Sequence, residues 1–491
     1  MSSRHPIVVI GAGPVGLAAA AHLLERGQKV VVLEAGASAG AAMGQWGHIK
    51  LFSTWRYNID AAARRLLETP AGGYDGGWAA PRETRLPTGA EMVNGYLAPL
   101  AAHPSMAPRI RYGHKVTAVT RVLNSGAGVD LSRSAGRDDS LFLVRTEADG
   151  ATVDVTARAV IDASGTWGMP NPAGRSGIPA IGEDAARAAG FVSSPLPDVL
   201  GADRAQFAGK AVLVLGAGHS AANTLLALAR LRQQDPATTI LWGLRGTANP
   251  VRLYGGGAAD ELPARGQLGT SLRRFVDNGD ITLVENVAVA SIASGATAGV
   301  ELALADGRTL SADVVVPATG FRPDLSILSE LRLDLDPVVQ APRALGPLID
   351  PEFHSCGTVE AHGERVLSHP EPNFYLVGMK SYGRAPTFLM ATGYEQVRSI
   401  AAALAGDRAA ADAVELQLPE TGVCSTDLSG SCDAPAAGAE NAAQAGCGAP
   451  EPSAGPEAGG CCGAPEPVTI GFATGTLHGF TEVAGAHARR S

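Results

Sequence analysis

Cysteine is nearly missing from the first 423 of the 491 residues, where Cys356 stands alone. A disulfide framework is excluded for that region, and so is a CxxC redox pair anywhere between residues 1 and 355. Long apolar runs are missing too. No stretch approaches the ~20 residues that cross a bilayer, so no membrane partner is expected. Basic residues are outnumbered, 39 against 48 acidic, for a formal net charge of −9, and a negative surface repels a polyanion, which argues against nucleic acid as a partner. Aromatics are only 5% of the chain, so a local cluster of them carries weight. The opening Met1-Ser2-Ser3-Arg4-His5-Pro6 runs directly into an apolar stretch, without a charged leader or apolar signal core. It reads as the start of a cytoplasmic protein. A chain of this length, 45% hydrophobic, is expected to bury the cores of two or three domains.

What is present is organised around residues 5–36. The apolar run His5-Pro6-Ile7-Val8-Val9-Ile10 meets Gly11-Ala12-Gly13-Pro14-Val15-Gly16 and continues into an alanine-rich stretch through Arg26. The pattern predicts strand, tight turn and helix. Each glycine has its own steric reason, Gly11 for the turn, Gly13 for close approach of a pyrophosphate, and Gly16 for packing the helix on the strand. The helix start offers N–H groups to phosphate. A second strand, Lys29 to Leu33, ends at Glu34, about 20 residues beyond the glycines, where an acid takes ribose hydroxyls. This is a dinucleotide-binding βαβ unit.

Further along, Gly44 to Asn58 holds Trp46, Phe52, Trp55 and Tyr57. It is expected to line something flat, or else to form an aromatic cluster between domains. Residues 59–68 and 90–102 read as helices, with a loop from Thr69 to Gly89. Ile110 to Ala157 reads as a β-meander. Ala159-Val160-Ile161-Asp162-Ala163-Ser164-Gly165 reads as a return to the parallel sheet at its ligand edge. Residues 168–208 read as a connection.

The opening pattern then recurs. Lys210 to Leu215 runs into Gly216-Ala217-Gly218-His219-Ser220-Ala221 and a helix through Arg230. Its second strand, Thr238 to Trp242, ends without an acid, and Arg245 stands near the place that Glu34 holds in the first unit. An arginine there suits a 2′-phosphate, which favours NADPH, with Arg252 as a second candidate contact. A second meander, Ile281 to Leu310, leads to a strand ending in Ala318-Thr319-Gly320. Two similar exits flanking the second unit suggest an inserted domain. The expected division is 1–165 and 313–415 for the first domain, 166–208 for the connection, 209–312 for the inserted domain, and 416–491 for a tail. The class is α/β, with two dinucleotide-binding domains.

The tail is rich in Ala, Gly, Pro, Glu and Ser, without helical or strand period, and is expected to be disordered. It holds Cys424, Cys432, Cys447, Cys461 and Cys462, and the hexapeptide Cys-Gly-Ala-Pro-Glu-Pro occurs twice. Thiolates select soft ions, and trivalent arsenic needs three of them without a prearranged tetrahedron, so these five are candidate arsenic ligands. A drifting low-complexity extension is the plain alternative. His354-Ser355-Cys356 with His362 and His369 is a weaker ligand cluster, and Lys380 and Arg384 are candidates to face an anionic substrate.

Gly11-Ala12-Gly13-Pro14-Val15-Gly16 with Glu34, the repeat at 209–221, and Ala318-Thr319-Gly320-Phe321-Arg322-Pro323-Asp324 together resemble the flavin-containing monooxygenases, over residues 5 to about 405. Within that group the chain is most similar to flavoproteins of arsenic-resistance operons in high-GC bacteria. The resemblance implies a Rossmann-like FAD domain with an inserted NADPH domain, and a reaction in which NADPH reduces FAD and O2 is then consumed with a small-molecule substrate, arsenite or an organoarsenical among the candidates. It implies FAD on Gly11, Gly13, Pro14, Gly16, Glu34 and the backbone around Val116, with Gln45 and Trp46 near the flavin. NADPH is implied on Gly216, Gly218, His219, Ser220 and Arg245. Two departures stand out: no histidine occupies the family's FxGxxxHxxx(F/Y) place in Val199 to Phe207, and Met379 follows Val377-Gly378, where related disulfide reductases often carry an acid. A thioredoxin-reductase-like enzyme working through the tail cysteines, or a metalloid-sequestering protein, are the alternatives.

Overall fold

The computed structural model describes residues 5–416, except 124, 133–134, 249–252, 255–262, 296–298, 352–358 and 387. All of these belong to one unit, Met1–Gly430. The tail and its five cysteines lie outside the described residues, as do His354, Cys356 and Arg252.

Strand β1 (Ile7–Ile10) is buried at every residue, as expected of a strand covered on both faces. It pairs in parallel with β2 (Val30–Leu33) on one side and with Ala159–Asp162 on the other. Ile110–Arg111 and Phe374–Leu376 extend the two edges, so the sheet reads 374–376, 159–162, 7–10, 30–33, 110–111. Helix α1 (Pro14–Glu25) follows β1, and its buried alanines Ala18 to Ala21 let it lie close to the sheet and to the helix Met390–Leu404. The opposite face is closed by an antiparallel meander, Lys115–Val122, Leu141–Ala148 and Ala151–Ala157. Its inward Val119, Phe142 and Val144 pack on Val8, Ile10 and Val160.

The second sheet repeats the plan with four parallel strands in the order 282–284, 239–243, 211–215, 314–317. Helix His219–Gln234 lies on one face, and the meander Val289–Ser294, Val300–Leu304, Thr309–Ala312 on the other.

Several boundaries differ from the sequence reading. Ile110–Arg111 and Thr282–Val284 are edge strands of the parallel sheets and do not open the meanders. Val314–Pro317 pairs with Ala211–Leu215, so the second sheet runs to residue 317, beyond the expected limit at 312. The connection 168–208 carries a helix at Glu183–Ala188, and its Val192 bridges to Val315. The helix near 90–102 contains a π-helical turn, Val93–Leu97.

The chain passes between the two parallel sheets twice, and the two crossings lie side by side. Asn171 N donates to Gly320 O at 2.9 Å, Arg322 N to Met169 O at 3.0 Å, and Thr319 Oγ1 to Asn171 O at 2.7 Å. Elsewhere a buried charge cluster ties three loops together. Glu371 receives Arg121 Nε at 2.7 Å, an Arg137 terminal nitrogen at 2.6 Å and the Arg332 backbone N–H at 2.8 Å. Burial alone would raise the Glu371 carboxyl, but these bonds hold it below its usual range.

Candidate active site

The first glycine turn has the geometry its spacing predicts. Gly11 sits at φ +97°, in the region that favours glycine, and a Cβ there would lie 2.9 Å from the Ala163 carbonyl oxygen. A Cβ at Gly16 would collide with the Gly11 carbonyl oxygen, so this glycine is needed for packing. Gly13 is different: a Cβ added there meets nothing within 4 Å. That open space lies at the N-cap of α1, where no side chain caps the helix and its first N–H groups are free for an anion. Pro14 occupies the first turn. At the end of β2, Glu34 accepts from Ala12 N at 2.6 Å and from Gly36 N at 2.7 Å. Its carboxylate is thus pinned against the turn, with lone pairs left over for ribose hydroxyls.

From this turn a cavity of about 980 Å³ opens. Gly11, Gly13, Pro14 and Glu34 line one part of it, with His114 and Val116 beyond Glu34. On the other side of β1 it is lined by Ala163 to Met169 and by Gly378 to Lys380. A third wall, Trp46, Ile49, Leu51, Phe52, Phe388 and Met390, is apolar. The aromatic stretch therefore divides: Trp46 and Phe52 face the cavity, whereas Trp55 is buried in the core. Gln45 is exposed at the rim, where its Oε1 accepts from Trp167 Nε1 at 2.8 Å. Trp167 in turn packs on Phe321, with ring centroids 5.1 Å apart. The open space at Gly13, the uncapped helix start and the pinned Glu34 fit a dinucleotide.

The second unit reaches the same cavity. His219, Ser220 and Asn223 line it, and the His219 ring lies against Phe52 with centroids 4.9 Å apart. Gly216 has φ +129°, and a Cβ there would collide with the Ala318 carbonyl oxygen. A Cβ at Gly218 meets nothing within 4 Å, as at Gly13. Ala221 takes the third glycine's place and is fully buried. Arg245, just beyond strand Thr239–Gly243, is exposed and has no ion pair among the described residues.

The sequence reading missed one feature of this site. Lys380 is fully buried and donates to Asp162 Oδ2 at 2.7 Å and to Ser164 Oγ at 3.0 Å, while Ser164 Oγ and N donate to Asp162 Oδ1 at 2.6 and 3.0 Å. The expectation that Lys380 faces an anionic substrate is therefore corrected, because its charge is neutralised by Asp162. Arg384 is exposed, and its Nε donates to Gln340 Oε1 at 2.7 Å, a neutral partner that leaves its charge in place. The one local signal was an aspartate closing an otherwise apolar strand, Ala159–Asp162.

No group of three side chains suited to a metal occurs among the described residues. His362 bonds to Glu360 O and Gln396 Nε2, and His369, whose pKa burial lowers to about 4, accepts from Asp334 N.

Solved structures with this fold share little sequence with the chain. Bacillithiol disulfide reductase Bdr from Bacillus cereus is 19% identical over 82% of this chain and 99% of its own, with a TM-score of 0.56. A cadaverine monooxygenase of desferrioxamine biosynthesis from Erwinia amylovora, solved with FAD, is 14% identical over 87% and 100%, with a TM-score of 0.54. An ornithine N-hydroxylase from Kutzneria is 18% identical over 83% and 100%, at 0.52. No curated protein matches the chain. The family model for pyridine nucleotide-disulphide oxidoreductases matches residues 5–339, in keeping with two glycine turns that open on one cavity, and the chain belongs to that family of FAD- and NAD(P)H-binding enzymes.

Proposed function

We propose that the chain oxidises NADPH through bound FAD as a monooxygenase-like enzyme of the cytoplasm, with O2 and a small molecule as its further substrates. The observation that carries this reading is the single cavity that runs from Gly13 to His219 and Ser220. FAD supplies the electron relay there when bound. Gly11, Gly13, Pro14 and Gly16 shape the turn that receives its pyrophosphate, Glu34 takes the adenosine ribose, and Val116 borders that half. Trp46, Phe52 and Met390 keep water from the reacting end, with Gln45 holding Trp167 at the rim. Gly216, Gly218, His219 and Ser220 receive the NADPH phosphates. The chain has no cysteine among residues 1–355, so those parts of the cavity wall offer no dithiol, and this supports an acceptor other than a disulfide.

Arg245 selects NADPH by pairing with its 2′-phosphate. Arg245→Ala is expected to lower NADPH affinity by about 1.5–3 kcal/mol, roughly tenfold to hundredfold, and to leave NADH binding unchanged. An unchanged ratio of the two constants would remove Arg245 from the site. The electron acceptor is read from NADPH and O2 consumption with arsenite, an organoarsenical, an unrelated nucleophile or a disulfide added in turn. Turnover only with the disulfide, lost in a chain ending at Pro419, would favour the disulfide-reductase reading.

The tail adds a link to arsenic. Cys461 and Cys462 meet one trivalent arsenic and a third thiolate comes from Cys447 or Cys424, favoured by the effective concentration of a tether. Arsenite is expected to protect three thiols per bound arsenic from alkylation, and a double change of Cys461 and Cys462 to Ser to abolish the protection without altering the flavin spectrum. Full alkylation in excess arsenite would leave the tail without this role.

A further inference from the structure

The two glycine turns are built on the same plan but hold one peptide bond from opposite ends. Their registers match: Gly11 N donates to Leu33 O at 2.8 Å, and Gly216 N to Gly243 O at 3.1 Å. In the first turn the peptide between Gly11 and Ala12 is held by its N–H, which donates to Glu34 Oε2 at 2.6 Å. Its carbonyl oxygen takes the space over Gly16, where a Cβ would collide with it. Neither arrangement is open to the second turn. Leu244 stands in the register of Glu34 and offers no acceptor, and Ala221 stands in the place of Gly16 and carries a Cβ. There the peptide is held by its carbonyl instead. The buried Trp242 donates its Nε1–H to Gly216 O at 2.7 Å.

We infer that Trp242 is a positioning residue for NADPH: its indole N–H holds the Gly216 carbonyl off Ala221 and so fixes the turn that receives the phosphates. The two residues belong together. An alanine at 221 denies the carbonyl the place it has in the first turn, and a carbonyl turned toward the core needs a donor, which the indole supplies. Because a trans peptide points its C=O and N–H opposite ways, the bond to Trp242 turns the Ala217 N–H away from that residue. Ala217 is exposed and its N–H donates to none of the described residues, whereas the Ala12 N–H is taken by Glu34. An N–H left to a ligand suits a phosphate oxygen. The brace is also neutral. A carboxylate bracing this turn, as Glu34 braces the first, would repel a 2′-phosphate, and Trp242 removes the need for one. Tyr254 packs on the indole with ring centroids 6.3 Å apart, which helps to hold the donor in place.

The inference rests on the NADPH reading of the second glycine turn, and the test separates the two. The full chain with FAD bound is titrated calorimetrically with NADP+, which carries the same phosphates and leaves the flavin oxidised. Trp242→Phe, which keeps a ring and loses the donor, should bind NADP+ about tenfold more weakly than wild type, with flavin content unchanged. Made in an Ala221→Gly background, the same substitution should cost less than about threefold, because the carbonyl can then settle as it does over Gly16. A purely structural tryptophan would cost the same in both backgrounds. If the phenyl ring packs poorly and lowers the thermal melt, benzothienylalanine at position 242, an indole isostere with sulfur in place of N–H, replaces it in both backgrounds. Equal losses in the two backgrounds, or no loss, overturn the role of Trp242 while leaving NADPH at this turn. Failure of wild type to bind NADP+ would overturn the NADPH reading and the inference with it.

Discussion

Gly13→Asp protein is expected to purify folded but colourless. The substitution is sterically allowed in the empty chain, because a Cβ at Gly13 meets nothing within 4 Å and the residue's φ of −78° suits any side chain. The same space is where a pyrophosphate would meet the uncapped start of α1, and the new carboxylate would occupy it with charge of the wrong sign. Losing two charge-assisted hydrogen bonds, before any repulsion is counted, weakens binding by about a hundredfold or more. The measurement is the visible flavin absorption per polypeptide, with the thermal melt of wild-type apoprotein as the reference. Retained flavin in a folded variant would move the cofactor away from this turn. Gly16→Ala makes a useful contrast, since its Cβ would collide with the Gly11 carbonyl oxygen and should lower the melt of the apoprotein itself.

Glu371→Ala is expected to cost about 3–5 kcal/mol of stability, because it leaves Arg121 and Arg137 as buried cations without their carboxylate. Both arginine side chains are 1% exposed and Glu371 is 0%. Their remaining partners among the described residues are carbonyls, Ser140 O and Pro372 O for Arg121 and Val129 O, Asp130 O and Glu330 O for Arg137, with the Phe142 ring against Arg121, and these do not neutralise charge. Glu371 also lies just before the strand Phe374–Leu376 that carries Gly378 and Lys380 to the cavity. Denaturant unfolding is expected to begin earlier in Glu371→Ala than in wild type, with Glu371→Gln between them. Removing the exposed Asp154 of the Arg145–Asp154 pair should change little. The folded pKa of Glu371 is depressed. Its contribution is therefore full above the unfolded carboxylate range, near pH ~4.3, and lost as pH falls through the lower folded value. A variant as stable as wild type would mean that the meander strand at Arg121, the loop at Arg137 and the segment at 330–332 hold without their shared carboxylate.

The sequence by itself determined the two glycine turns and the acid at the end of β2. These are local matters of backbone conformation and spacing, in which Gly11 must reach a positive φ, Gly13 must leave room, and Glu34 falls where β2 stops. It also determined that Arg245 stands where the second unit lacks an acid, and that residues 1–355 hold no thiol. Tertiary structure decided which sheet each short strand joins. Ile110–Arg111 and Thr282–Val284 are too short to show a period, and Val314–Pro317, buried on both faces, would read the same in either sheet. Closure of the sheets chose between them. Tertiary structure also decided the cavity floor, where Lys380 meets Asp162 from 218 residues away. An isolated lysine in a sequence reads as a surface charge. It becomes part of a buried pair only because two parallel strands, each flanking the next, deliver their following loops to the same edge of the sheet.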